Sequence, residues 1–211
     1  VQPGMTVLDA CAAPGGKSFA AAMQMKNEGR ITSCDIHPHK LSLIEKGAAR
    51  LGIDIVRPAL QNAAERSEIF LENMDVVIAD LPCSGLGVIR KKPDIRYKDL
   101  APLEKLPALQ SAILENVSAY LKPGGVLLYS TCTVLRRENE AVCEAFLRAH
   151  PEFTQEALLQ WATRLQWALQ PWGRQRLARR LRGSTRCYGE TVWLPFRWNS
   201  FLKSTIQTSG S

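Results

Sequence analysis

The chain has little of what metal centres and disulfide frameworks are built from. Its three histidines (37, 39 and 150) and six cysteines (11, 34, 83, 132, 143 and 187) include no C-x-x-C pair and no grouping at metal-ligand spacing. No metal site is therefore expected. The cysteines are too scattered for a disulfide scaffold, so free thiols in a cytoplasmic protein are the expectation. No apolar run approaches the roughly 18 residues of a membrane span, and no secretory leader opens the chain. Two nucleotide signatures also fail. G-x-G-x-x-G is absent. Gly16-Lys17-Ser18 looks like the close of a phosphate loop, but position 11, where that loop needs its first glycine, is Cys. Residues 1–151 contain no tryptophan.

The 211 residues suffice for one sizeable core. The net charge of +7 is unevenly spread. Residues 152–211 hold nine Lys or Arg against three acids, and all five tryptophans, at 161, 167, 172, 193 and 198. This shift of composition places a boundary near Pro151, dividing a first domain, 1–151, from an Arg- and Trp-rich tail, 152–211. The chain opens at Val1, almost on its first strand, and reads as a fragment without its N-terminal part.

Within 1–151, apolar strands alternate with helices. MTVLDA, RITSCD, IDIVRPAL, MDVVIADLP and VLLYSTC read as five strands. The spacing of Leu41, Ile44, Ala48 and Leu51 predicts a helix that Gly52 stops. Further helices are predicted near 17–25, 106–121 and 138–150. Pro82–Pro102 reads as a long loop and Pro123-Gly124-Gly125 as a turn. MDVVIADLP is apolar on both faces, as a central parallel strand should be. Such alternation implies an open parallel sheet that binds its ligands beyond the C-terminal strand ends. Asp9, Asp35, Asp80 and Cys132 all fall at those ends. Asp35 lies 19 residues past Gly16, where an acid suits ribose hydroxyls.

Three separated stretches, DACAAPGGKS, DLPCSGLGVIRKKPDIRY and LKPGGVLLYSTCT, resemble the RNA cytosine-C5 methyltransferases (the Sun/Fmu-like 5-methylcytosine enzymes), over residues 1 to about 153. The resemblance implies the class I S-adenosylmethionine-dependent methyltransferase fold, an α/β Rossmann-like and mostly parallel sheet. It also implies methylation of a cytosine in ribosomal RNA, 16S by the nearest likeness, through a covalent adduct between cysteine and carbon 6. By the same resemblance Cys132 is the nucleophile, Cys83 assists release of the adduct, and Asp80 contacts the base. Cys83 as nucleophile is the rival, since DNA cytosine methyltransferases use a Pro-Cys pair. The cofactor residues implied are Cys11, Ala12, Ala13, Pro14, Gly15, Gly16 and Lys17 around the methionine moiety, Asp35 at the ribose, Asn62 where relatives carry an acid near the adenine (Ala63 stands at the matching place), and Asp80. Arg90, Lys91, Lys92, Arg96 and Lys98 are expected to meet RNA phosphates. A thiolate also needs local positive charge, and either Arg136 and Arg137 supply it or they are a solvated surface. A monomer with no membrane or metal partner is expected. Two alternatives stay open: a catalytically silent RNA-binding fragment, and tRNA as the substrate.

The tail departs from the family pattern. A helix and two antiparallel strands are expected to close the sheet, the last with Asp-Gly-Phe-Phe, and no such stretch occurs. Residues 158–211 read as a basic RNA-binding extension, a diverged terminus, or an out-of-frame translation. The last is preferred because Arg and Trp codons become frequent when a GC-rich gene is misread, and it leaves the sheet incomplete at its C-terminal end.

The missing loop glycine and the placement of Asp35 set the ligand expected in calorimetry. S-adenosylhomocysteine should bind the chain, whereas ATP and NAD should not. Preferential binding of ATP would reject the methyltransferase reading.

Overall fold

The computed structural model describes residues 1–97, 99 and 101–155, together with the backbone of 192–198. Strands β1 (Thr6–Asp9), β2 (Arg30–Asp35), β3 (Val56–Leu60), β4 (Met74–Asp80) and β5 (Leu121–Thr131) pair in parallel. Helices α1 (Gly16–Gln24), α2 (Pro38–Arg50), α3 (Leu106–Ser118) and α4 (Glu140–Ala149) lie between or after them. β6 (Phe153–Gln155) and β7 (Val192–Trp198) add antiparallel pairings, giving the order β3-β2-β1-β4-β5-β7-β6.

The alternation of side chains along each strand divides the core. Leu8, Val77, Ala79, Leu127 and Tyr129 join α3 and α4 on one face. Val7, Val76 and Ile78 join α1 and α2 on the other. A strand buried on both faces cannot alternate apolar with polar, which is why Val76 to Ala79 is apolar without a break. Each fully buried aliphatic side chain contributes about 1.5–3 kcal/mol.

The chain leaves β1 for β2 and β3 on one side, then returns to β4 on the other. Strand order therefore reverses between β1 and β4, and a crevice opens at their C-terminal ends.

Several element bounds differ from the sequence expectation. β3 begins at Val56 rather than Ile53, because the Ile53 amide donates to the Ala48 carbonyl and closes α2. β5 begins at Leu121 and carries Pro123-Gly124-Gly125 within it. Its register against β4 shifts between Met74 and Val76, which absorbs the extra residues as an irregularity of the ladder. Arg136–Glu138 forms a separate 3-10 turn, and α4 begins only at Glu140. Asn139, at φ −124 and ψ −95, interrupts the expected helix over 138–150.

The backbone of Val192–Trp198 takes the antiparallel place beside β5, although the Asp-Gly-Phe-Phe stretch is missing. Readings that fall on 156–191 and 199–211, including the frame of the tail and most of its Arg and Trp residues, lie outside the described residues.

The turn from β1 into α1 depends on one glycine. Gly15 has φ +107, and a Cβ there would sit 2.4 Å from Phe19 Cζ. Gly16 is open, with no heavy atom within 4 Å of its would-be Cβ. Gly15→Ala is therefore expected to lower the urea midpoint by the equivalent of about 1–3 kcal/mol. Gly16→Ala should change it far less.

Candidate functional site

Three chain segments meet at the crevice. The β1–α1 turn contributes Cys11 to Lys17, the end of β4 contributes Asp80, and the end of β5 leads into Cys132. A cavity of about 200 Å³ is lined by Asp9, Cys11, Ala12, Ala13, Pro14, Gly16, Lys17 and Asp80. Gly15, Asp35 and Asn62 are not in its wall. Gly15 instead shapes the turn. Asp35, nearly buried at the end of β2, accepts the His37 amide through Oδ1 at 2.9 Å, and Lys40 Nζ stands 4.0 Å from the same oxygen. The Asn62 amide is engaged within its own turn. Its Oδ1 accepts from the Ala64 amide at 3.1 Å, and its Nδ2 donates to Glu65 Oε1 at 2.8 Å. Ala63 beside it is buried in the core.

The cavity wall is acidic. Asp9 is fully buried; its Oδ2 accepts the Ser18 hydroxyl at 2.7 Å, and Ser18 in turn accepts from Ser33 at 2.7 Å. Oδ1 of Asp9 has no hydrogen-bond partner at ordinary geometry, although the Cys11 amide also acts on the carboxylate. Burial, reinforced by the neighbouring Asp80 charge, raises the Asp9 carboxyl to about 6. Lys17 does not reach out as a phosphate-loop lysine does. Its Nζ donates to Asp80 Oδ2 at 2.5 Å, while Ser130 Oγ holds Asp80 Oδ1 at 2.7 Å. Two carboxylates around a lysine already bound to one of them repel phosphate groups. An orphaned buried carboxylate oxygen instead suits a cationic ammonium, such as the amino group of S-adenosylmethionine, and the residues present fit that cofactor. Asp9 was placed at a strand end by the sequence but not counted with the cofactor residues. Its buried, unpartnered oxygen appears only in the fold.

Beside this cavity the two cysteines come together. Cys83 Sγ and Cys132 Sγ are 2.9 Å apart, both thiols are free, and each is half-buried. The hydrogen bond between the two sulfurs lowers Cys132 to about 7, with Lys17 adding to the effect; burial and Asp80 oppose it. Cys83 is pushed up, first by that same hydrogen bond. The pair thus shares one proton. Arg136 does not supply the positive charge, because both of its links go to Glu144, at 2.8 and 2.9 Å on the exposed surface. Among the described residues, Lys17 is a cation whose charge lowers Cys132. Cys11, in the cavity wall, and Cys34 are raised by burial to about 12, and Cys143 is raised beyond the usual thiol range; Cys34 and Cys143 lie in the core as packing residues.

The loop after Cys83 folds as short 3-10 turns at Leu86–Val88, Pro93–Tyr97 and Ala101–Lys105. The Gly87 amide donates to the Cys132 carbonyl at 3.0 Å, and a Cβ at Gly87 would sit 2.7 Å from that oxygen. Buried Ile95 anchors the loop against Gly85. Arg90, Lys91, Lys92 and Arg96 are exposed on it, as is Tyr97. Lys98 lies outside the described residues. Among the described residues, no helix is long and apolar enough to cross a membrane, and no group of His, Cys, Asp and Glu is arranged to hold a metal.

Residues 1–176 match the sequence model of a family described as 16S rRNA methyltransferase RsmB/F. The chain is 46% identical over 157 residues to a Bacillus subtilis protein named probable ribosomal RNA small subunit methyltransferase B, covering 74% of this chain and 35% of the relative. It is 36% identical over 142 residues to ribosomal RNA small subunit methyltransferase F of Aeromonas salmonicida, covering 67% and 30%. The chain thus spans about a third of the length of these relatives. Among solved structures, NSun6 from Pyrococcus horikoshii, determined with SFG, is 29% identical with a TM-score of 0.67, covering 74% of this chain and 39% of that one. A SAM-dependent O-methyltransferase from Thermotoga maritima is 15% identical with a TM-score of 0.57, over 94% and 60%, a likeness of fold alone. The fold is that of class I S-adenosylmethionine-dependent methyltransferases.

The raised Asp9 carboxyl has a measurable cost. Between the ordinary 3.8 and about 6 the native state keeps a proton that the unfolded chain has released, so stability falls as pH rises through this window. Asp9→Asn should therefore be more stable than the parent at pH 7.5, by about 3 kcal/mol at most, with little difference at pH 4. Urea midpoints at the two pH values measure this. The same variant should bind S-adenosylhomocysteine more weakly.

Proposed function

The chain belongs to the 16S rRNA methyltransferase RsmB/F family, and from that premise we propose that it transfers a methyl group from S-adenosylmethionine to carbon 5 of a cytosine in ribosomal RNA. The observation that supports this most directly is the Cys83–Cys132 pair, 2.9 Å apart beside the Lys17–Asp80 bridge at the edge of the cavity.

Asp9 would hold the cofactor's ammonium group, and the backbone from Cys11 to Pro14, with Gly16, would enclose its amino-acid end. When bound, S-adenosylmethionine supplies an electrophilic methyl group. Cytosine carbon 5 is too poor a nucleophile to attack it unaided. Cys132 Sγ, charged near neutral pH, adds to carbon 6 and forms an S–C bond. The electron pair of the ring double bond moves to carbon 5, which becomes enamine-like. The ring nitrogen takes up a proton from water as the adduct forms, so the pyrimidine gathers no net negative charge, and Asp80, held by Ser130 and Lys17 on separate oxygens, accepts a hydrogen bond from the resulting N–H. After methylation, carbon 5 gives up its proton to a water molecule acting as base, the double bond returns, and Cys132 leaves as a thiolate. Cys83 assists that release from its place beside the departing sulfur.

The exposed Arg90, Lys91, Lys92 and Arg96 would meet RNA phosphates and Tyr97 a base, on a loop whose backbone rests on the Cys132 carbonyl. The Cys132 amide, 3.2 Å from Cys83 Sγ, favours charge on Cys83 instead. This is the specific reason to keep Cys83 as the rival nucleophile.

The two cysteines have opposite expected phenotypes with purified protein and 16S rRNA. Cys132→Ala should be inactive and form no covalent complex. Cys83→Ala should still attack and methylate but retain the RNA, seen as a shifted band on a denaturing gel. Adduct accumulating in Cys132→Ala and absent from Cys83→Ala would make Cys83 the nucleophile, and S-adenosylhomocysteine failing to bind would reject the reaction class.

A further inference from the structure

The segments that carry Cys83 and Cys132 are tied down by two adjacent side chains. Glu138 is fully buried. Its Oε2 accepts the Ser84 amide at 2.8 Å and Gln110 Nε2 at 3.2 Å. Gln110, also fully buried, donates from the same nitrogen to the Pro82 carbonyl at 2.9 Å. Both peptide neighbours of Cys83 therefore lead to one carboxylate. Asn139 does the same for Cys132. Its Oδ1 accepts from Thr131 Oγ1 at 2.5 Å, and its Nδ2 donates to the carbonyls of Thr133 and Leu135, each at 3.1 Å. Ser84 Oγ and Thr133 Oγ1, 2.7 Å apart, join the two segments, and the Tyr129 hydroxyl fixes the Glu138 carbonyl at 2.6 Å.

We propose that Glu138 and Asn139 are positioning residues which together hold the Cys83 and Cys132 sulfurs in hydrogen-bonding register. The inference rests on the reaction proposed above. Burying a carboxylate whose Oε1 has no partner is costly. Such a cost is retained where a geometry is at stake, and here the geometry is that of two loops 49 residues apart in sequence. The Ser84 amide, from the Cys83 loop, and the Gln110 side-chain amide, from α3, can share one Glu138 oxygen only if that loop and the segment after β5 are both in place.

The test reads Cys132 alone. In the 211-residue chain, alkylation by iodoacetamide is followed at Cys132 by peptide mass spectrometry across pH. The groups facing Cys132 are Cys83, Asp80 and Lys17. In Glu138→Gln and in Asn139→Ala the midpoint should rise toward the ordinary thiol value near 8.5, and the rate at pH 7 should fall about tenfold. The sign is diagnostic, since removing a buried negative charge from Glu138 would by electrostatics alone move the midpoint down. Binding of S-adenosylhomocysteine should be unchanged, because neither residue lines the cavity. Should Glu138→Gln fail to give a cooperative melt, Gln110→Met removes the bridging amide with little change of volume and is expected to shift the midpoint in the same direction. An unchanged or lowered midpoint in a folded variant overturns the proposal, even where the parent protein still forms an RNA adduct. A raised midpoint in a protein that forms no adduct sustains the clamp and rejects the reaction.

Discussion

The β4–β5 ladder sets Asp80 beside Ser130, and most of the site follows from that register. Parallel pairing sends both strands toward the same edge of the sheet. The loops that leave them, one through Cys83 and the other through Cys132, therefore start side by side. Ser130 can then hold one oxygen of Asp80 while Lys17, from the start of α1, holds the other. A shift of one residue would turn Ser130 into the opposite face and remove both its contact and the approach of the two sulfurs. The irregularity between Met74 and Val76 is what lets the glycine-containing start of β5 pair with β4 without disturbing the register nearer the site.

The electrostatics divide by depth. The cavity is acidic, with buried Asp9 and the Lys17-bound Asp80, and suits a cationic ligand head. The exposed loop above it is basic and suits a polyanion. Lys17 connects the two regions, because it neutralises Asp80 and at the same time favours a charged Cys132. The Cys132 thiol is lowered by short contacts, chiefly its hydrogen bond with Cys83, while Arg136 is turned to Glu144.

The sheet also shows how a departure in sequence can leave a fold recognisable. Val192–Trp198 pairs along β5 from Val126 to Thr131, although the residues the family pattern leads one to expect are absent there. Backbone hydrogen bonding asks only for an extended segment at an open edge, which many sequences satisfy.

What the sequence determined by itself was the set of local elements and the row of polar residues at their ends. Apolar alternation placed all five parallel strands, with RITSCD found at its observed bounds, because burial on one or two faces imposes a period the chain must carry. The glycine of the β1–α1 turn and the cysteines of DLPCSG and STCT were legible too, since chemistry and backbone conformation restrict those positions to few residue types. Tertiary structure alone decided the partners. It gave Lys17 rather than Arg136 to the thiolate, turned the Asn62 amide into its own loop, left Asp9 with an orphaned oxygen, and brought Glu138 and Asn139 behind the cysteines. None of these has a signature in spacing, because each joins residues distant in the chain whose meeting is fixed by strand order, register and burial, and these are properties of the whole sheet.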